Sequence, residues 1–108
     1  MTLSGLKTVV SQISGFSTKV AYRAFPVGKA PALPFICISE TGTDNFGADN
    51  IVYQVIQNVD IELYTKRKDV QTERKVEDQL HESGLFWEKT ETYIESENCY
   101  EIVYSVTL

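Results

Sequence analysis

Leu3, Leu6, Val9, Val10 and Ile13 recur at helical spacing, which predicts a short amphipathic helix with Thr2 or Ser4 as its N-cap and Gly15 just beyond its end. From Lys19 to Ala24 the spacing changes to alternation, with Val20 and Tyr22 on one side and Lys19 and Arg23 on the other, the pattern of a half-buried strand. Phe25 to Pro34 then carries all 3 prolines; a backbone that lacks donors at these points belongs to a connection, not to a sheet interior. Phe35 to Glu40 is a short apolar run, consistent with a strand covered on both faces near the centre of a sheet. Gly42 to Asn50, GTDNFGADN, is dense in turn-forming residues and reads as a loop. Beyond it, Ile51 to Tyr64 alternates as one strand, with Tyr53, Val55, Val59, Ile61 and Leu63 against Gln54, Asn58, Asp60 and Glu62. That is more than twice a usual strand of about 5–6 residues, so its far end is expected to project as a hairpin arm tipped by the loop.

Lys66 to Lys68 breaks the alternation, and Asp69 caps a helix running to about Ser83 and closed by Gly84. Val70, Val76 and Leu80, with Glu73 at the intervening turn, make a narrow apolar stripe. Glu73, Arg74, Lys75, Glu77 and Asp78 cover the remainder, as on a helix lying at a surface. Two strands follow, Phe86 to Glu95 and Tyr100 to Leu108, joined at Ser96-Glu97-Asn98. In the second, Tyr100, Ile102, Tyr104, Val106 and Leu108 share one face. The order α-β-β-β-α-β-β predicts one α+β domain over residues 1–108, built on a mixed or mainly antiparallel sheet of about five strands with two helices and a projecting β-hairpin arm.

The 108 residues are 43% hydrophobic and 23% charged, the balance of a folded domain rather than a disordered chain. A formal net charge of −5 argues against adhesion to nucleic acid, which needs Lys and Arg to displace phosphate counterions. It does suit a passage along which DNA slides without sticking. Residues 1–19 lack the apolar core of a signal peptide and no apolar run is long enough for a bilayer, so no membrane is expected and Cys37 and Cys99 are expected to be reduced, strand-borne hydrophobes.

A search for chemistry finds no catalytic, cofactor or metal constellation. His81, the single histidine, lies among Gln79, Glu82 and Ser83, without the ligand set a metal requires. Asp44 and Asp49 share a glycine-containing loop but lack the alternating oxygens and closing Glu of a calcium loop. Nothing local activates either thiol. Glu91, Glu95, Glu97 and Glu101 fit the solvated face of a hairpin better than an acid/base pair. The tyrosines and Trp87 have acidic neighbours, which suits core packing and protein interfaces, where Tyr and Trp are enriched, rather than a basic stacking groove.

Val59-Asp60-Ile61-Glu62-Leu63-Tyr64-Thr65, followed by Lys68-Asp69, Glu73, Val76-Glu77, Leu80 and Gly84, and closed by Tyr93-Ile94-Glu95-Ser96-Glu97 and Tyr100-Glu101-Ile102-Val103-Tyr104, resembles the tail-terminator (tail-completion, tail-to-head joining) proteins of long-tailed bacteriophages and prophages. The resemblance implies a non-enzymatic virion assembly protein at the head–tail junction, made in the host cytoplasm. It implies a homo-oligomeric ring, commonly a hexamer, which caps the major tail tube protein, meets the head-closure or connector protein, and lets DNA pass without specific binding. Within that reading Asp44, Phe46 and Asp49 are candidate contacts to a subunit or to the tube, with Phe46 as an apolar anchor, and Lys66, Arg67 and Lys68 offer cations to an acidic neighbour. The alternatives are another neck component, such as a head-closure or adaptor protein, and a small acidic ligand-binding or regulatory domain with an apolar pocket between sheet and helix.

Overall fold

The computed structural model describes residues 1–48 and 50–108, with residues 46, 48 and 52–54 described by backbone alone. Helix α1 (Leu3–Ser11) and strands β1 (Val20–Tyr22), β2 (Phe35–Thr43), β3 (Phe46–Ala48), β4 (Ile51–Gln54) and β5 (Gln57–Thr65) lead to helix α2 (Val70–Glu82). Strand β6 (Trp87–Ile94), one 3₁₀ turn (Glu95–Glu97) and strand β7 (Cys99–Thr107) complete the chain. Five strands form one sheet in the order β1-β2-β5-β7-β6, parallel between β1 and β2 and antiparallel elsewhere. The α+β class and the order of the main elements agree with the sequence, with β5 rather than β2 at the middle.

Both helices pack on one face. Leu6, Val10, Ile13 and Phe16 from α1 and its exit, with Val76 and Leu80 from α2, bury against Ile36, Ile38, Val59, Ile61, Leu63, Ile102, Tyr104 and Val106 of the sheet. Fully burying each such aliphatic side chain stabilises by about 1.5–3 kcal/mol. These side chains fill the space between sheet and helices where a ligand-binding domain would have its pocket. Gln79 of α2 also donates through Nε2 to the Val9 carbonyl at 3.0 Å, which ties the helices together. On the opposite face the proline-rich connection returns at one corner, where Phe25 meets Phe35 edge-on at 5.2 Å and Phe35 meets Tyr64 at 5.2 Å. Cys37 and Cys99 are free and buried. Burial, with Glu62 and Glu101 nearby, pushes the Cys37 thiol up to about 11, so it stays protonated at neutral pH.

The second helix begins and ends where its residues require. The Asp69 carboxylate accepts from the Thr72 backbone N–H at 3.1 Å and from the Thr72 hydroxyl at 2.7 Å, and Gly84 adopts φ +73° at the other end, a conformation available to glycine at little cost. Asp69→Ala is expected to lower stability by about 1 kcal/mol, measurable as a shift in the urea midpoint; no shift would mean that the first turn of α2 does not depend on this cap.

Two strand boundaries differ from the sequence reading. Ile51 to Tyr64 is two strands, broken at Val55-Ile56, and the segment read as a loop contains the end of β2 and all of β3. The register explains both differences. Thr43 faces Gln57 and Phe46 faces Gln54, so one hairpin register runs through the break. At the joint, side chains take over part of the ladder: Asn58 Nδ2 donates to Asp44 Oδ2 at 2.9 Å and Gln57 Nε2 to the Gly42 carbonyl at 3.0 Å. Turn-forming composition thus marks bulges within an arm, because in so short a strand pairing with the partner outweighs propensity. The arm does project: β7 ends opposite Asn58 and β1 opposite Ile38, and β3 and β4 pair only with each other. The molecule measures 49 × 29 × 23 Å.

Candidate functional site

Three surfaces gather the candidate residues. The first is the arm. Asp44 lies at its root, where its N–H donates to the Ile56 carbonyl at 2.8 Å, and its carboxylate is held by Asn58. Phe46 is placed by its backbone in β3, opposite Gln54, and Asp49 lies outside the described residues.

The second is the turn between β5 and α2. Lys66 and Arg67 are exposed and, with Leu33, Pro34, Thr65, Lys68 and Asp69, line an open cleft of about 460 Å³. Lys68 is drawn away into an ion-pair cluster. Its Nζ lies 2.8 Å from Glu73 Oε2, in ion-pair contact but off hydrogen-bond alignment, donates to Glu73 Oε1 at 3.0 Å, and also meets Glu91. Lys89 Nζ lies 2.8 Å from Glu73 Oε1 and 2.8 Å from Glu77 Oε2. The Tyr104 hydroxyl donates to that same Glu77 oxygen at 2.8 Å. Glu73 itself is 1% exposed. Burial alone would raise its carboxyl, but hydrogen bonds from Lys68 and Lys89 outweigh that and hold it below its ordinary value. Burial acts to lower Lys89, and its two carboxylates reverse this and raise it.

The sequence pattern sets Glu73 both at the intervening turn of the apolar stripe and among the polar residues that cover the helix, and Val70 in the stripe; in the structure Glu73 is buried and Val70 is 54% exposed. A signal was present, since residues 73, 76 and 80 fall on one helical face, but a lone carboxylate reads as solvated until the cations that meet it are known.

The third surface is the face of the sheet away from the helices. There β5, β7 and β6 present Asp60, Glu62, Glu88 and Glu101 among Asn, Ser, Thr, Tyr, Val and Ile positions, and no lysine or arginine. The Tyr64 hydroxyl lies between two of the carboxylates, 2.8 Å from Glu101 Oε2 and 3.2 Å from Glu62 Oε1. Burial raises the Glu62 carboxyl; the Tyr64 hydrogen bond opposes the rise, while the nearby Glu101 and Asp60 charges add to it. A face of one sign, with hydroxyls and no cations, repels phosphate.

Comparison with known proteins bears on the architecture that carries these surfaces. Among solved structures the chain matches one from the virion of a native gene transfer agent (GTA) particle, with a TM-score of 0.54 over 94% of this chain and 81% of that one. The fold is one found in a virion. The two sequences are 13% identical, so the likeness is one of fold. No protein-family model and no curated protein matches.

The sheet and both helices are the frame on which the arm, the basic turn and the acidic face are mounted. Among the described residues no group of three or more His, Cys, Asp or Glu is arranged to hold a metal ion, and no helix is long and apolar enough to cross a membrane.

Proposed function

We propose that this chain is a non-enzymatic structural protein of a phage-like virion that forms a ring, a hexamer on the resemblance to tail terminators, ending the tail tube and joining it to the head connector. The observation that carries the reading is a fold shared with a virion chain over 94% of the length. Three features support it. The cation-free sheet face gives the ring a lumen through which a duplex slides without binding. The arm reaches past the sheet far enough to touch a neighbouring subunit or the major tail tube protein. The eight-residue edge strand β6 has a sheet partner on one side only, which leaves backbone groups for pairing between protomers.

Native mass spectrometry of the purified protein, combined with electron microscopy of labelled tails, tests the proposal. The expected result is a closed ring at the tail end distal to the tip. Label on the portal of tail-less heads and absent from free tails would reassign the chain to another neck component, and a protein that stays monomeric and never locates to particles would refute the ring.

A further inference from the structure

The basic cleft and the 3₁₀ turn lie at the same end of the sheet. The cleft sits where β5 ends and β2 begins, and the turn joins the end of β6 to the start of β7. The turn bridges the edge strand β6 and β7, and β7 lies one strand spacing, ~5 Å, from the end of β5. The turn carries Glu95 and Glu97, both exposed. Its shape is set, because Asn98 sits at φ +49° with its N–H donating to the Glu95 carbonyl at 3.2 Å, and the Tyr93 hydroxyl donates to Asn98 Oδ1 at 3.2 Å.

The cleft is left with charge to offer. Lys68 is spent on Glu73 and Glu91, and Asp69 on the cap of α2, but among the described residues neither Lys66 nor Arg67 has a carboxylate within ion-pair distance, and neither do Glu95 and Glu97 have a cation. The cleft wall also contains Thr65, 2% exposed, whose Oγ1 has no hydrogen-bond partner.

We infer that the acidic turn Glu95–Glu97 of one copy of this chain docks into the Lys66/Arg67 cleft of the next. The occupant is a second copy because one chain carries both complementary features and, among the described residues, they make no ion pair with each other within it, so a neighbour can present one to the other. Such a contact is head-to-tail, and head-to-tail contacts close into rings when the rotation per subunit allows. The inference rests on the self-assembly proposed above and adds the residues that make the contact.

The test uses sedimentation velocity on the full chain, the Lys66→Glu/Arg67→Glu variant, the Glu95→Lys/Glu97→Lys variant, and an equimolar mixture of the two. All four side chains are exposed, so circular dichroism is expected to show unchanged folding. Each variant alone opposes like charges at every contact, and is expected to need a roughly tenfold or more higher concentration to assemble. The mixture restores assembly, because alternating subunits again oppose opposite charges, and added salt weakens the wild-type association. Wild-type assembly with unaffected variants, or a mixture that does not recover, overturns this contact and leaves the ring standing. A wild-type chain that is monomeric at every concentration overturns this contact, and one that also never locates to particles overturns the ring.

Discussion

Replacing Lys68 and Lys89 together by methionine is expected to destabilise the domain by roughly 3–5 kcal/mol, the usual effect of stranding a buried charge, and to reverse the contribution of Glu73 to the pH dependence of stability. In the wild type the two ammonium groups contact both oxygens of a carboxylate that is 1% exposed. Its folded-state proton affinity lies below the ordinary value of 4.5, so the unfolded chain takes up the proton first as acid is added. The stabilisation is complete above that ordinary value and is lost as pH falls through the folded one. Without the lysines only burial remains, which raises the carboxyl. The folded chain then holds its proton longer than the unfolded chain does, and stability falls as pH rises from about 4.5 through the raised value. Urea denaturation of both proteins between pH 4 and pH 7 reads the difference, in which the carboxylates cancel except Glu77 and Glu91, which lose a lysine partner as well. Adding Glu73→Gln to the double variant should remove the reversed slope. If the difference curve is flat, Glu73 is not the buried partner of these cations.

The second large effect concerns assembly. Exchanging residues 45–55 for an Asn-Gly turn joins Asp44 to Ile56, which already form a backbone hydrogen bond of 2.8 Å in register with Thr43 and Gln57. Asn-Gly suits the two-residue turn such a pair requires. Because β3 and β4 pair only with each other and, among the described residues, the members of the main core cluster lie outside 45–55, stability is expected to stay within about 0.5 kcal/mol. The proposed role in tail termination, by contrast, should be abolished, scored as tails of uncontrolled length and loss of infectious particles in a complementation assay. Full complementation by the shortened chain would remove the arm from the interface; unfolding would show that the arm belongs to the core.

The sequence was most informative where one physical signal dominated. Period-two alternation from Tyr100 to Leu108 and helical spacing in α1 reflect burial on one side of a regular element, and the structure buries Ile102, Tyr104, Val106, Leu6 and Val10 accordingly. The caps at Asp69 and Gly84 were legible because each satisfies a local backbone requirement. The arm was foreseen from the length of its strand, though its internal break was not, since the hydrogen bonds from Asn58 to Asp44 and from Gln57 to Gly42 depend on partners 14 and 15 residues away.

Of the candidate site, the sequence located the basic turn and the acidic residues but not their grouping. It placed Lys66, Arg67 and Lys68 together, whereas the structure turns Lys68 toward Glu73 and Glu91 and leaves the other two beside the cleft. Local pattern determined the class of fold, the order of elements and the faces that must be buried, because these follow from period, cap and turn chemistry within a few residues. Which charges meet was decided only in the tertiary structure. Glu73 joins Lys89 through the packing of α2 against β6, and Asp60, Glu62, Glu88 and Glu101 share one cation-free face through strand register, and electrostatic pairing depends on distances that the spacing of residues along the chain does not set.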